Sequence, residues 1–289
     1  MNVKFYIAAA LLLGCTSGFA QPKDAGAPQL LIKSNFSLMS PVWSPDGKHI
    51  AVTGDNYSGI WVANADGTGL SKILSDAGSG YKMIWNGDSK TIIARTDQLI
   101  NNRRYHEIKS IDIATAATET LVSSTRNISG TSTLKNIKAD KAIATSAYEI
   151  MVNDPVHATS LISSLSQYRG KMIINPALSP NGLRTAFQIP GHGVFVCNAD
   201  GSSLMNIGKG SYPSWLPDNK SVVVARIQDN GNVFTAADLY CVDCTNGNVV
   251  KLTHDSRYIP ITHAVSPDGS KVAFENSADG CIYVINLKY

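Results

Sequence analysis

Charge is scarce in this chain: 16% of its 289 residues are Asp, Glu, Lys or Arg, and the formal net charge is only +3. The basic residues are scattered, with no run of the kind that follows a phosphate backbone or an anionic membrane. Aromatic residues make up 8%, too few for a stacking platform along a single strand. Nucleic-acid binding is therefore disfavoured. No long apolar run occurs beyond residue 20, so no membrane span is expected there. Helical periodicity of useful length is missing, and so is a G-x-S-x-G elbow, which removes support for a serine hydrolase. The six histidines show no H-x-H or H-E-x-x-H spacing, so no local metal motif is present. What remains is 44% hydrophobic, which suits a globular protein of one or two domains that buries its core without staples.

The first twenty residues differ from the rest. Lys4 supplies a positive start, "FYIAAALLLG" an apolar run too short to span a bilayer comfortably, and Gly18 and Ala20 a small-residue cleavage site before Gln21. Residues 1–20 read as a cleaved export signal and 21–28, "QPKDAGAP", as a linker. A rival reading takes "LLGC" as a lipoprotein signal with a lipid anchor at Cys15. Export makes disulfides possible for Cys197, Cys241, Cys244 and Cys281. The spacing of "CVDC" suits redox chemistry only where the first cysteine opens a helix. Here it ends a strand-like run, so one local disulfide or buried thiols are expected, and the pairing stays open.

The strongest feature present is a repeat. "WSPDGKHIAV" from Trp43 returns as "WNGDSKTIIA" from Trp85, "IKADKAIATS" from Ile137, "LSPNGLRTAF" from Leu178, "WLPDNKSVVV" from Trp215 and "VSPDGSKVAF" from Val265. In the first copy Pro45 presets the turn, Asp46 tolerates its second corner, and Gly47 can take the left-handed conformation of a type I turn with a G1 bulge. Asp46, Asp218 and Asp268 read as residues that cap their own turns. A second turn, "NADG" at 64–67, joins two more strands, so each unit holds four short strands, a to d. Units 2 and 3 are degraded: Ser89 and Lys141 replace the glycine. Copies begin 37 to 52 residues apart, the period of four-stranded propeller blades. Trp43, Trp85 and Trp215 share one repeat position and are expected to pack between blades.

The expected fold is all-β: a six-bladed β-propeller of four-stranded antiparallel blades over 29–289. Unit 6 stops after its third strand, at Tyr289, while "QLLIKSN" from Gln29 belongs to no unit. An open ring would leave an unpaired edge, so this N-terminal strand is expected to complete the last blade.

The pattern P-x-W-S-P-D-G-K-x-I-A, followed by I-W-V-A-N-A-D-G, resembles the propeller repeat of TolB-type proteins across essentially the whole mature chain. The resemblance implies a periplasmic six-bladed propeller that binds a peptide of a lipoprotein partner at its channel mouth. That family also carries an N-terminal α/β domain, for which this sequence has no room. Similar repeats occur in prolyl-oligopeptidase-like enzymes, whose hydrolase elbow is missing here. They also resemble oligogalacturonate lyases, whose central histidines bind metal.

In a propeller, strand a lines the channel, and the d-to-a and b-to-c loops open on one face. Sorted that way, the candidate ligand-binding residues are Arg103, Arg104, Tyr105 and His106 in unit 2, Arg126 before unit 3, and Tyr212 before unit 5. His254, Arg257, Tyr258 and His263 precede unit 6. Together they would form a cationic, aromatic mouth suited to a carboxylate-bearing peptide or an acidic glycan. They also fit an ordinary polar loop surface. His106, His192, His254 and His263 come from three or four different units and lack a metal-ligand spacing; His49 and His157 read as packing or edge residues. The sequence thus points to a monomeric, exported, non-catalytic module without a cofactor, periplasmic or at a bacterial cell surface, binding a protein or peptide at the channel mouth. The alternative is a metal-assisted polysaccharide lyase.

Overall fold

The computed structural model describes residues 20–125, 142–145, 150–153, 160–162, 171–198 and 201–289. Unit 1 comprises β3 (Leu38–Trp43), β4 (His49–Gly54), β5 (Ile60–Asn64) and β6 (Ser71–Leu74), preceded by the short pieces β1 (Asp24–Ala25) and β2 (Gln29–Ile32). Unit 2 comprises β7 (Ile84–Trp85), β8 (Thr91–Ile100), β9 (Arg103–Asp112) and β10 (Thr118–Thr125). In unit 3 lie β11 (Ala142–Thr145), β12 (Ile150–Asn153) and β13 (Ser160–Ile162). Unit 4 comprises β14 (Ile174–Leu178), β15 (Arg184–Ile189), β16 (Gly193–Asn198) and β17 (Met205–Gly208). Unit 5 comprises β18 (Ser211–Trp215), β19 (Ser221–Asp229), β20 (Phe234–Asp243) and β21 (Val249–Lys251). Unit 6 ends the chain with β22 (Pro260–Val265), β23 (Lys271–Asn276) and β24 (Cys281–Lys288). Among the described residues no helix is long and apolar enough to cross a membrane.

The protein is an all-β propeller, but the expectation of six four-stranded blades is corrected to five. Units 1, 2, 4, 5 and 6 form antiparallel blades of at least four strands, whereas the described part of unit 3 is a three-stranded sheet in the order β11-β12-β13. Unit 3 is also where the repeat's chemistry is weakest. Lys141 stands at the turn-glycine position, where a left-handed backbone is needed, and Ile137 replaces the aromatic residue. Unit 6 gains its outer strand from the other end of the chain. Gln29 and Ile32 pair with Val284 and Ile282, and Asp24 and Ala25 pair with Lys288 and Leu287. Gln21, in the segment read as a linker, donates to the carbonyls of Cys241 and Asn248 at 3.1 Å.

The turn motif builds one hydrogen-bond pattern three times. Ser44, Ser179 and Ser266 donate to the side chains of Asp46, Asn181 and Asp268. Those same serines accept the N–H of His49, Arg184 and Lys271 at 2.9 Å. Gly47, Gly182 and Gly269 follow at φ between +69° and +73°. Ser89 and Asn219 adopt the same left-handed conformation without being glycine, at φ +56° and +58°. Each finds compensation next door: Ser89 Oγ accepts the Asp46 N–H at 3.0 Å, and Asn219 Oδ1 accepts that of Asn181 at 2.8 Å.

The tryptophans hold neighbouring units together. Trp85 Nε1 donates to Val42 O at 3.0 Å, Trp215 Nε1 to Ala177 O at 2.9 Å, and Trp43 Nε1 to Ala264 O at 3.2 Å. In every case the acceptor lies on strand a of the preceding unit, one residue before the tryptophan's counterpart. The third of these bonds joins unit 1 to unit 6. Units 4 and 6 carry Leu178 and Val265 at this position; Val265 instead donates its own N–H to Ser214 Oγ at 3.2 Å. Apolar faces fill the spaces between blades: Leu38, Ile50, Ala273, Ile282 and Ile32 between units 6 and 1, for example. Each interface is thus its own small core, as repeat architectures require.

Candidate ligand-binding site at the channel mouth

The site is built by a recurring irregularity near the start of strand a. The register slips between Met39 and Val42, Ile174 and Ala177, Ser211 and Ser214, and Pro260 and His263. A bulge of this kind re-aims a side chain. The repeat-equivalent residues are Ser40, Lys82, Asn175, Tyr212 and Thr262, and all but Lys82 lie inside one of these slips. The first four have φ between +52° and +55°, a conformation that costs non-glycine residues about 1–3 kcal/mol and clusters at functional sites. On strand b the facing position holds Thr53, Arg95, Gln188, Ala225 and Glu275. Four of the five blades therefore carry one strained polar or aromatic residue near the start of strand a.

Neighbouring side chains tie this ring together. Asn175 Nδ2 donates to Gln188 Oε1 at 3.1 Å, and Gln188 Nε2 donates to Ser211 Oγ at 2.9 Å. Thr262 Oγ1 donates to Glu275 Oε2 and accepts the Ser40 N–H at 2.9 Å. The Ser40 N–H also lies 3.4 Å from Glu275 Oε2. Glu275 is largely buried, and burial pushes its carboxyl above the ordinary glutamate range against the opposing pull of Thr262 and Ser40. Burial likewise raises the phenols of Tyr57 and Tyr212, with smaller contributions from Tyr81 and Glu275 to both. Those mutual effects place Tyr57, Tyr81, Tyr212 and Glu275 around one space.

A cleft of about 410 Å³ opens beside it, between units 1 and 2. Its walls include Tyr57, Tyr81, Arg95, Asp97, Leu99 and Arg104. Tyr57 and Tyr81 meet edge to face with ring centres 5.1 Å apart. The Arg95 guanidinium stands 4.9 Å from the Tyr81 ring centre and Lys82 Nζ 5.4 Å from it. The hairpin of β8 and β9 extends beyond the sheet and carries an exposed Leu99 at 73%. Asp97 anchors its base: His106 Nδ1 lies 2.7 Å away, Arg95 Nε 3.3 Å and Arg104 Nε 3.8 Å. One carboxylate thus collects three cationic or ionisable groups, and Arg104 stays exposed.

The structure divides the residues expected from the sequence. Arg104 and His106 meet at Asp97, and Tyr212 joins the mouth cluster. Arg103 and Tyr105 sit on the same hairpin, opposite Ile100 and Gln98. Arg126 lies outside the described residues, as does His157. The unit 6 group disperses. Arg257 is clamped by Asp255 at 2.6 Å. Tyr258 packs against Phe274 and Tyr283. His263 is buried in strand a with Nε2 3.1 Å from Val223 O, and burial pushes its pKa down. His254 meets Asp24 of the N-terminal strand at 3.3 Å. Among the described residues no three His, Cys, Asp or Glu side chains are placed to hold a metal ion. Sequence reasoning missed Tyr57, Tyr81, Arg95, Asp97 and Glu275. A column-by-column alignment of the units would have flagged Arg95 and Glu275, since both stand at the mouth position of strand b.

All four cysteines described are buried and free. Cys241 and Cys244 lie three residues apart on or just after β20, so they face opposite sides of the sheet. They enter different cores, that between units 5 and 6 and that between units 4 and 5. The local-disulfide alternative is therefore set aside in favour of buried thiols, each pushed up to about 12 by burial.

No protein-family model matches the chain, and neither does any curated protein. Solved structures do. The β-propeller domain of Myceliophteria thermophila Cps50 (Swd1) is similar with a TM-score of 0.54 and 10% identity, over 89% of this chain and 98% of that one. An oligogalacturonate lyase in complex with manganese is similar with a TM-score of 0.50 and 11% identity, over 93% and 95%. TolB from Acinetobacter baumannii matches at a TM-score of 0.41 and 15% identity, over 89% of this chain and 56% of that one. At such identities the first two likenesses describe the fold alone, which is that of a β-propeller.

Proposed function

We propose that this propeller is a non-catalytic binding module that takes a segment of a protein or peptide at its channel mouth, after export to a bacterial periplasm or cell surface. The observation that carries the reading is the cleft between units 1 and 2. It joins two tyrosine rings, an exposed leucine and an exposed arginine, held in place by Asp97 and a strained backbone. Rings that bury area at little entropic cost, beside an exposed guanidinium, are what recognition of a peptide carboxylate calls for. The export signal over residues 1–20 supports the location.

The test is fluorescence anisotropy with a labelled set of extended peptides rich in Asp and Glu. Arg104→Ala should weaken binding about tenfold or more, the scale of a charge-assisted hydrogen bond of roughly 1.5–3 kcal/mol, without lowering the melting temperature. Peptides that bind neither protein would refute the reading. So would metal-dependent release of unsaturated uronide from oligogalacturonate, seen as new ultraviolet absorbance.

A further inference from the structure

We propose that the channel mouth also receives a cationic side chain of the bound segment, a lysine or arginine, with Glu275 as its counter-charge and Tyr57, Tyr81 and Tyr212 as a partial cage. The inference rests on the peptide-binding reading and specifies what that peptide carries.

Three observations converge. First, Glu275 is a largely buried carboxyl on strand b of unit 6 whose hydrogen bonds come from neutral groups, Thr262 and Ser40. Among the described residues no cation lies within ion-pair distance of it. Ser40, Thr262, Tyr57, Tyr212 and Asp55 face it from units 6, 1 and 5, and none of these is cationic. The basic residues of the mouth, Lys82 and Arg95, are turned to Tyr81 and Asp97 instead. A largely buried carboxylate without a cationic partner is costly, so this one holds its proton to higher pH than a free glutamate and gains from a positive charge.

Second, the wall beside it is phenolic. Tyrosine faces attract ammonium and guanidinium groups, most strongly where water is excluded, and aromatic cages are a recurrent device for that purpose. This corner already uses the chemistry, since two basic side chains stand over the Tyr81 ring. Third, Tyr212 stands at the repeat position that Ser40 and Thr262 hold beside Glu275, with φ +55°, a conformation of the kind that clusters at functional sites. The ionised Glu275 carboxylate and the entering cation form a neutral pair, and any proton the carboxyl holds beforehand is released to solvent.

The direct probe is n-butylammonium chloride, titrated against the intact protein and followed by tyrosine fluorescence, with n-butanol as the uncharged control. Saturable binding of the amine and not the alcohol is expected. It should weaken at least tenfold in Glu275→Gln and in Tyr212→Ala, provided each variant keeps a cooperative melt. Amine affinity in the unsubstituted protein should also rise with pH as the carboxyl ionises. A second arm compares two acidic peptides differing in one residue, lysine or norleucine. The unsubstituted protein should prefer lysine about tenfold, and Glu275→Gln should bind both alike.

Amine binding that is absent, or indifferent to Glu275, overturns the proposal, as does equal binding of the two peptides to the unsubstituted protein. If acidic peptides bind without a lysine preference and the amine does not bind, the cation pocket fails while the peptide reading stands. If the amine binds through Glu275 but no peptide does, the peptide reading fails while the pocket stands.

Discussion

Ile32→Ala tests whether the N-terminal strand is part of the ring's core. Ile32 pairs with Ile282 on β24, is 2% exposed, and packs with Leu38, Ile50 and Ile282 between the first and last units. Removing a fully buried isoleucine side chain to Cβ costs about 2–5 kcal/mol, the spread reflecting how far the cavity collapses. An interface between two units with β-branched neighbours collapses little, so ~3 kcal/mol is the working figure. In a domain of this size each kcal/mol lowers the melting temperature by about 2–4 °C, which gives a drop of roughly 6–12 °C. The internal control is Leu30→Ala. Leu30 lies on the same strand, but the register slips between it and Ile32, leaving it 51% exposed; its loss should stay under about 1 kcal/mol. Urea unfolding followed by tryptophan fluorescence reads both. Equal shifts in the two variants, or a loss under ~1 kcal/mol for Ile32→Ala, would show that the strand rests on the ring without sealing it.

Other outcomes can be checked the same way. Trp85→Phe leaves the Val42 carbonyl without its indole donor and should cost at least about 1 kcal/mol in urea unfolding. The four cysteines should resist Ellman's reagent in the native protein and react once unfolded. At a pKa of about 12 for Cys241 and Cys244, only about one thiol in 10⁴ is ionised at pH 8. Glu275 binds its proton more tightly folded than unfolded. Its contribution is therefore full below the ordinary glutamate pKa and is lost as pH rises through the raised one. Thermal melts from pH 4 to 8 should show Glu275→Gln gaining on the unsubstituted protein as pH increases, and parallel curves would refute this.

The turn chemistry was legible because a short motif dictates it. Ser44, Asp46 and Gly47 form a closed local hydrogen-bond set, and the copies at Ser179 and Ser266 could be recognised without tertiary information. The pairing of the N-terminal segment with β24 followed from an unfilled edge. The blade count did not follow, because a spacing and a run of apolar residues in unit 3 mark a repeat without supplying either the turn glycine or the tryptophan, at least one of which each of the other five units keeps. At the site, sorting residues into loops singled out Arg104 and His106, which meet at Asp97, and Tyr212. The same rule put His263 in a loop, whereas strand a of unit 6 begins at Pro260 and His263 turns into the core; Tyr258, in the loop just ahead of it, packs on Phe274. Glu275 escaped notice because it sits in a regular strand, where alternation alone gives no sign that its face borders an opening. Asp97 and His106 become neighbours only through the pairing of β8 with β9.

The indole bonds all run the same way round the molecule, each unit grasping the one before it. A module built like this carries its own fastener and needs only a bare carbonyl from whatever stands upstream. Gene segments encoding such modules could be duplicated or exchanged without redesigning their neighbours, and those that have shed the tryptophan, as units 4 and 6 have, would be the harder ones to move.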